Sequence, residues 1–333
     1  MSLQLPDIIN TFLNTELANI LFLIIGFVLL TVAADWLVDG ASNLAKRFKM
    51  SDLVIGLTVV AMGTSMPELV VNLTSAFNHE TDLAITNVLG SNIANILLIL
   101  GCTACVCPVL CNKQTIFEVL ICIVSAALTL IFSFGSDISN IEGIILCVCF
   151  ILFIIYTLKK GKQETHNEPD NTEHRTVIMP IGKTLFLILI GLGGLALGGQ
   201  LTVNSAVDIA TRHHIPEAII GVTIVAIGTS LPELATSIIA ATKGHTELAI
   251  GNIVGSNIFN TLFVLGITSS IFPLPTYEHL LRDVIVALGA TILLLLFIIN
   301  NKNHKVSRLE GIIFVLIYIG YIIVLVNEAL HSQ

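Results

Sequence analysis

Residues 56–70 read GLTVVAMGTSMPELV, and residues 221–235 read GVTIVAIGTSLPELA. The likeness runs on. LAITNVLGSNIANILLILG at 83–101 is matched by LAIGNIVGSNIFNTLFVLG at 248–266. With the chain offset by 165 residues and no gap, 24 of the 46 positions in 56–101 are identical in 221–266. Generic apolar similarity does not put Gly, Thr, Ser, Pro, Glu and Asn at equal offsets, so the segment is duplicated.

The surrounding chain says where the two copies sit. Of 333 residues, 55% are hydrophobic and 11% charged, and the mean hydropathy is +0.93. A soluble domain carries about a quarter charged residues, so this chain has too little charge to cover a water-facing surface. With a net charge of −8, a nucleic-acid partner is excluded as well. A spanning helix needs about 20 mostly apolar residues, and ten such runs occur. They lie near 17–38, 53–77, 82–106, 115–134, 138–158, 180–208, 217–242, 247–271, 280–300 and 306–327. They are continuous rather than alternating, which favours helices over barrel strands.

The one long hydrophilic stretch, 159–178, contains Pro169 and no apolar periodicity. It reads as a linker between a first repeat, 1–158, and a second, 179–333. Each half holds five spans, an odd number, so the second copy enters the membrane from the opposite side. The expected fold is all-α: a polytopic membrane protein of ten transmembrane helices in two inverted five-helix repeats. Secondary transporters are built this way, with ions or substrate bound near the midplane between repeats. With the N-terminus outside, 13 of the 15 Lys and Arg fall in inside loops; only Arg212 and Arg282 fall outside. The positive-inside rule then puts both termini outside a plasma membrane. No cationic region precedes the first apolar run, which carries Asp7 and Glu16 at its start, so no cleavable signal peptide is expected.

Glu68 and Glu233 fall near the middle of equivalent spans, where an ionisable residue costs several kcal/mol and marks a functional site by default. No Lys or Arg lies in the central part of any span to pair with them. Thr64 and Ser65 share a helix face with Glu68, as Thr229 and Ser230 do with Glu233. Pro67 and Pro232 lack the N–H that would bond Gly63 and Gly228. Carbonyl oxygens near Ala61 and Ala226 are therefore expected to be free. Ser91 with Asn95, and Ser256 with Asn260, are four apart on the following spans and supply a second wall. Gly90 and Gly255 would allow close helix approach, while Asn87, Asn92, Asn252 and Asn257 read as helix–helix hydrogen bonds. Gly191, Gly193, Gly194, Gly198 and Gly199 read as a packing or sliding surface. Collected together are carboxylates, hydroxyls, amide oxygens and carbonyls, hard donors that suit Ca²⁺ and similar cations.

GTSMPE with GSNIAN, and GTSLPE with GSNIFN, resemble the two α-repeats of the sodium/calcium exchanger family, within the calcium/cation antiporter superfamily. The resemblance implies alternating access, several Na⁺ exchanged for one Ca²⁺, and no prosthetic group. It implies that Glu68 and Glu233 coordinate Ca²⁺. It further implies that Thr64, Ser65, Ser91, Thr229, Ser230, Ser256 and the carbonyls of Ala61 and Ala226 complete the Ca²⁺ and Na⁺ sites. The first and sixth helices would slide over the remaining core. Some relatives, potassium-dependent exchangers among them, carry Asp where this chain has Asn260; Asn adds no third charge, so no potassium requirement is expected. The linker is far too short for a calcium-sensing domain.

Three other classes compete. A proton-driven calcium or other cation exchanger would use the same carboxylates. An intramembrane hydrolase needs a base beside a nucleophile within a span, yet all nine His fall in loops or at span ends. An open channel suits paired acids on broken inverted helices less well than alternating access does. Cys102, Cys105, Cys107 and Cys111 have spacing that could hold a soft metal, but Cys is also a common small buried residue.

Overall fold

The computed structural model describes residues 16–164, 178–277, 279–301 and 303–331. Most of the expected linker, 165–177, and Lys302 lie outside the described residues. Eight helices among these are long and apolar enough to cross a bilayer. They are α1 (Glu16–Phe48), α3 (Thr81–Val106), α4 (Lys113–Phe132), α5 (Asn140–Glu164), α6 (Ile181–Arg212), α8 (Thr246–Ile271), α9 (Leu280–Asn300) and α10 (Arg308–His331). A ninth candidate is a pair bent by 43°, α2a (Asp52–Thr64) and α2b (Met66–Phe77). The expected seventh span is helical over residues 217–228, here α7a, and over α7b (Leu231–Thr242).

Two helices outrun their apolar runs. α1 continues to Phe48 because Ser42 and Asn43 pack into the protein rather than into lipid. Lys46 and Arg47 in its last turn suit the negative end of the helix dipole, and Lys49, at φ 52°, turns the chain out of the helix. α5 runs on to Glu164, past the start expected for the linker at 159. At the head of α4, the Asn112 side chain accepts from Thr115 N–H while the Thr115 hydroxyl accepts from Asn112 N–H, a reciprocal cap.

α3 and α8 form the centre: 94% of the apolar window of α8 is buried, against 17% for α10. Ile151, Leu309 and Leu316 on the outer helices are exposed, as lipid-facing positions would be. α1 and α6 run antiparallel as a seam of small residues. A methyl on Gly191 would meet Leu37 at 2.9 Å, and one on Gly198 would meet Leu30 N at 3.0 Å. Gly193 has nothing within 4 Å and Gly199 faces Pro232 instead, so three of the five glycines expected on a sliding face lie on the seam, Gly194 against Ala33 being the third.

Short strand pairs tie the ends of the bundle. β1 (Val109–Leu110) pairs with β4 (Lys305–Val306), and β2 (Asp137–Ile138) with β3 (Leu274–Pro275). Cys111 N–H bonds His304 O at 2.7 Å and Asn112 bonds Glu247 at 2.8 Å. Lys243 pairs with Asp35 at 2.6 Å and Asp39 at 2.7 Å, and His245 with Asp52 at 2.6 Å. The loops at 49–52, 107–112, 243–247 and 301–307 thus share one end, which is rich in lysine.

Candidate functional site

The breaks in α2 and α7 fall on Ser65 (φ −89°, ψ 10°) and Ser230 (φ −91°, ψ 6°), in the sparsely used bridge region. Pro67 and Pro232 sit in the first turn of the helix that follows, where a missing N–H costs nothing. The prolines therefore start new helices rather than kinking one. Glu68 and Glu233 are placed in those first turns, at the positive end of the helix dipole, which favours an anion.

The two acids meet in the middle of the bundle. Both are fully buried, and their carboxyl groups are close enough to interact electrostatically. Ser65 Oγ donates to Glu233 Oε1 at 2.7 Å, and Ser256 Oγ does so at 3.4 Å. Thr64 adjoins Glu233, and Ser91 adjoins Glu68. Thr229 Oγ1 is 3.5 Å from Ser91 Oγ. Asn95 Nδ2 donates to Asn257 Oδ1 at 2.9 Å. The ion pairs of His213, Lys243, His245 and Arg282 lie at the ends of the bundle and include neither acid.

Several buried polar atoms here have no hydrogen-bond partner. They are both carboxylate oxygens of Glu68, Oε2 of Glu233, Oδ1 of Asn95, Oγ of Ser230 and the whole amide of Asn260. Orphaned buried polar atoms are rare and need an explanation. A cluster dominated by oxygen acceptors around two acids fits a hard cation. The carbonyls expected from the breaks divide. Ala61 O accepts from Ser65 N–H at 3.1 Å, whereas Ser230 N–H turns to Ile227 O and bypasses Ala226.

That division is one sign of a wider asymmetry. α2a is packed on α8: a methyl on Gly56 would lie 2.7 Å from Leu248 O, and one on Gly255 would lie 2.7 Å from Leu57 Cα. The equivalent glycines, Gly221 and Gly90, have nothing within 4 Å. The close approach expected at both Gly90 and Gly255 occurs only at Gly255. α2a therefore closes the lysine-rich end, while α7a stands away from α3 at the other.

Two features escaped the sequence. Four π-helical segments, Gly56–Val60, Asn95–Leu100, Gly221–Val225 and Phe259–Leu265, interrupt the helices that carry the site. Such turns mark functional sites, and no residue pattern signals them. Asn72, Ser237 and Thr261 complete amide networks with Asn87, Asn252 and Asn92. Their polarity inside spans was the available signal.

The model of the family described as sodium/calcium exchanger protein matches residues 18–159 and again 183–327. The chain belongs to the sodium/calcium exchanger family. It is 40% identical to CaxA of Alkalimonas amylolytica over 309 residues, covering 90% of this chain and 96% of that one. It is 29% identical to the sodium/calcium exchanger MaX1 of Methanosarcina acetivorans, covering 92% and 98%. A solved structure of the sodium-calcium exchanger NCX_Mj, soaked with Na⁺ and Ca²⁺, superposes with a TM-score of 0.78 at 32% identity, covering 91% and 96%.

The cysteines of this exchanger stand apart from its acidic centre. Among the described residues, no three His, Cys, Asp or Glu side chains are gathered as metal ligands. Burial pushes the Cys111 thiol up to about 12, so only about one thiol in ten thousand ionises at pH 8. Iodoacetamide at pH 8 is expected to leave Cys111 unmodified in the folded protein and to label it after unfolding, read by peptide mass spectrometry.

Proposed function

We propose that this chain exchanges Na⁺ for Ca²⁺ across a membrane by alternating access. The observation that carries the reading is the pair of buried acids on two broken helices, ringed by orphaned oxygen donors. Two carboxylates balance one divalent ion or two monovalent ones. Glu68 and Glu233 are the Ca²⁺ ligands. Thr64, Ser65, Ser91, Asn95, Ala61 and their equivalents Thr229, Ser230, Ser256, Asn260 and Ala226 share the Ca²⁺ and Na⁺ sites. Asn260 adds no third charge, so transport needs no K⁺. No prosthetic group takes part; the ions are the cargo.

Ten crossings in two inverted five-helix repeats, 1–158 and 179–333, complete the reading. The antiparallel α1/α6 seam supports it. Gly26 meets Thr202 and Gly191 meets Leu37, and these are one contact exchanged by the 165-residue offset. With the lysine-rich end in the cytoplasm and both termini outside, a packed α2a and a parted α7a make this the outward-facing state.

Flux in proteoliposomes tests the function. ⁴⁵Ca²⁺ uptake is expected to follow an outward Na⁺ gradient and to ignore added K⁺. Uptake driven by a pH gradient and indifferent to Na⁺ would instead identify a proton-coupled exchanger.

A further inference from the structure

Asn87 and Asn252 occupy the same place in the two copies, and their amide nitrogens are wired alike. Asn87 Nδ2 donates to Asn72 Oδ1 at 2.6 Å and to the Glu68 carbonyl at 3.4 Å. Asn252 Nδ2 donates to Ser237 Oγ at 3.1 Å and to the Glu233 carbonyl at 3.5 Å. Positions 72 and 237 are themselves equivalent under the 165-residue offset. Each nitrogen therefore braces the helical turn that presents an acid.

The amide oxygens differ. Asn252 Oδ1 accepts from Thr64 Oγ1 at 3.1 Å, across the packed face between α8 and α2a. The equivalent bond would join Thr229 to Asn87 Oδ1, but Thr229 lies beside Ser91 instead. A hydroxyl has one hydrogen and two lone pairs. Once Asn252 takes the hydrogen, both lone pairs of Thr64 are left for the acidic centre. Two other acceptors compete for that hydrogen: Ala61 O, farther from Thr64 Oγ1 at 3.4 Å, and the Glu233 carboxylate that Thr64 adjoins. Of the contacts to Asn252 and Ala61, the 3.1 Å one to Asn252 is the shorter.

We propose that Asn252 and Asn87 are positioning residues that act in turn. Each amide oxygen takes the hydroxyl of the opposite repeat's GTS threonine only while that repeat's leading half-helix is packed, and so turns the threonine's oxygen toward the ions. Asn252 does this for Thr64 in the state observed. Asn87 does it for Thr229 when α7a packs on α3. The two asparagines thereby hold opposite states, and the bond that is made reports which end is closed. This rests on alternating access, but not on which ions are exchanged.

Hydrogen–deuterium exchange on the intact detergent-solubilised protein separates this role from general stabilisation. Losing one neutral buried hydrogen bond shifts a two-state balance about tenfold. In Asn252→Ala, exchange over 52–64 is expected to quicken about tenfold while exchange over 217–228 slows. In Asn87→Ala, 52–64 is expected to stay as protected as in wild type, or more so. Should Asn252→Ala fail to fold, Thr64→Val removes the same bond at similar volume and carries the same expectation. Quickening of both segments in either variant, or no response in Asn252→Ala and Thr64→Val, would overturn the proposal. Sodium coupling plays no part in this readout. A chain that failed to exchange Na⁺ for Ca²⁺ would sink the ion assignment and leave this inference standing.

Discussion

Glu68→Gln and Glu233→Gln are each expected to lower Na⁺-driven ⁴⁵Ca²⁺ uptake in proteoliposomes at least a hundredfold, yet to leave the protein no less stable to heat. Glutamine keeps the shape and removes one charge. At an effective dielectric of about 20, a unit charge 4 Å away is worth about 4 kcal/mol, and Ca²⁺ doubles it. Losing one of two balancing carboxylates therefore removes far more than the 2.7 kcal/mol or so that a hundredfold represents. The folded protein gains in the absence of the ion, because an acid buried without a positive partner is costly. The two readouts separate a site from a structural role. Added Ca²⁺ is expected to raise the Tm of wild type by mass action and to leave that of either variant unchanged. A variant that kept full uptake, or a wild-type Tm deaf to Ca²⁺, would remove these acids from the ion site.

Gly255→Val is expected to cost Ca²⁺ binding in the resting state, whereas Gly90→Val keeps binding and loses turnover. A methyl at Gly255 would sit 2.7 Å from Leu57 Cα and 2.8 Å from Ala61 Cβ. Backbone cannot swing aside as a side-chain tip does. Overpacking of this kind costs about 1–3 kcal/mol, so closure of α2a on α8 is disfavoured by about five- to 150-fold. Gly90 has open space around it in this state, and valine there obstructs only the opposite closure. Equilibrium ⁴⁵Ca²⁺ binding and turnover, measured on both variants, decide the matter. Equal losses of binding in the two would show that the asymmetry at these glycines has no bearing on the cycle.

The family and the acids were legible in the linear chain because the chemistry is repeated. Ungapped identity at Gly, Thr, Ser, Pro, Glu and Asn 165 residues apart identifies a duplication without any knowledge of packing. A carboxylate within a long apolar run stands out because the bilayer penalises it. Helix ends were less legible. α1 reaches Phe48 and α5 reaches Glu164 because a helix follows its protein contacts and caps, whereas hydropathy follows lipid. The missing N–H of Pro67 and Pro232 signals a break but not the residue on which it falls, which in the structure is Ser65 and Ser230. Whether a proline interrupts one helix or begins the next depends on the backbone just ahead of it, here at Ser65 and Ser230, two residues before each proline.

What the sequence determined by itself is the symmetric part: two like copies, two acids, and hydroxyls and amides at equal offsets. It could not determine the asymmetry, because identical residues carry identical information. Gly56 and Gly221, Gly90 and Gly255, and Asn87 and Asn252 are equivalent pairs in the chain. Only the tertiary structure makes one member of each pair meet a neighbour that the other does not. In the proposed cycle the physical reason is that one cluster of ions would sit between two half-helices that take turns closing over it. Packing one way excludes packing the other, so a symmetric sequence settles into an asymmetric state.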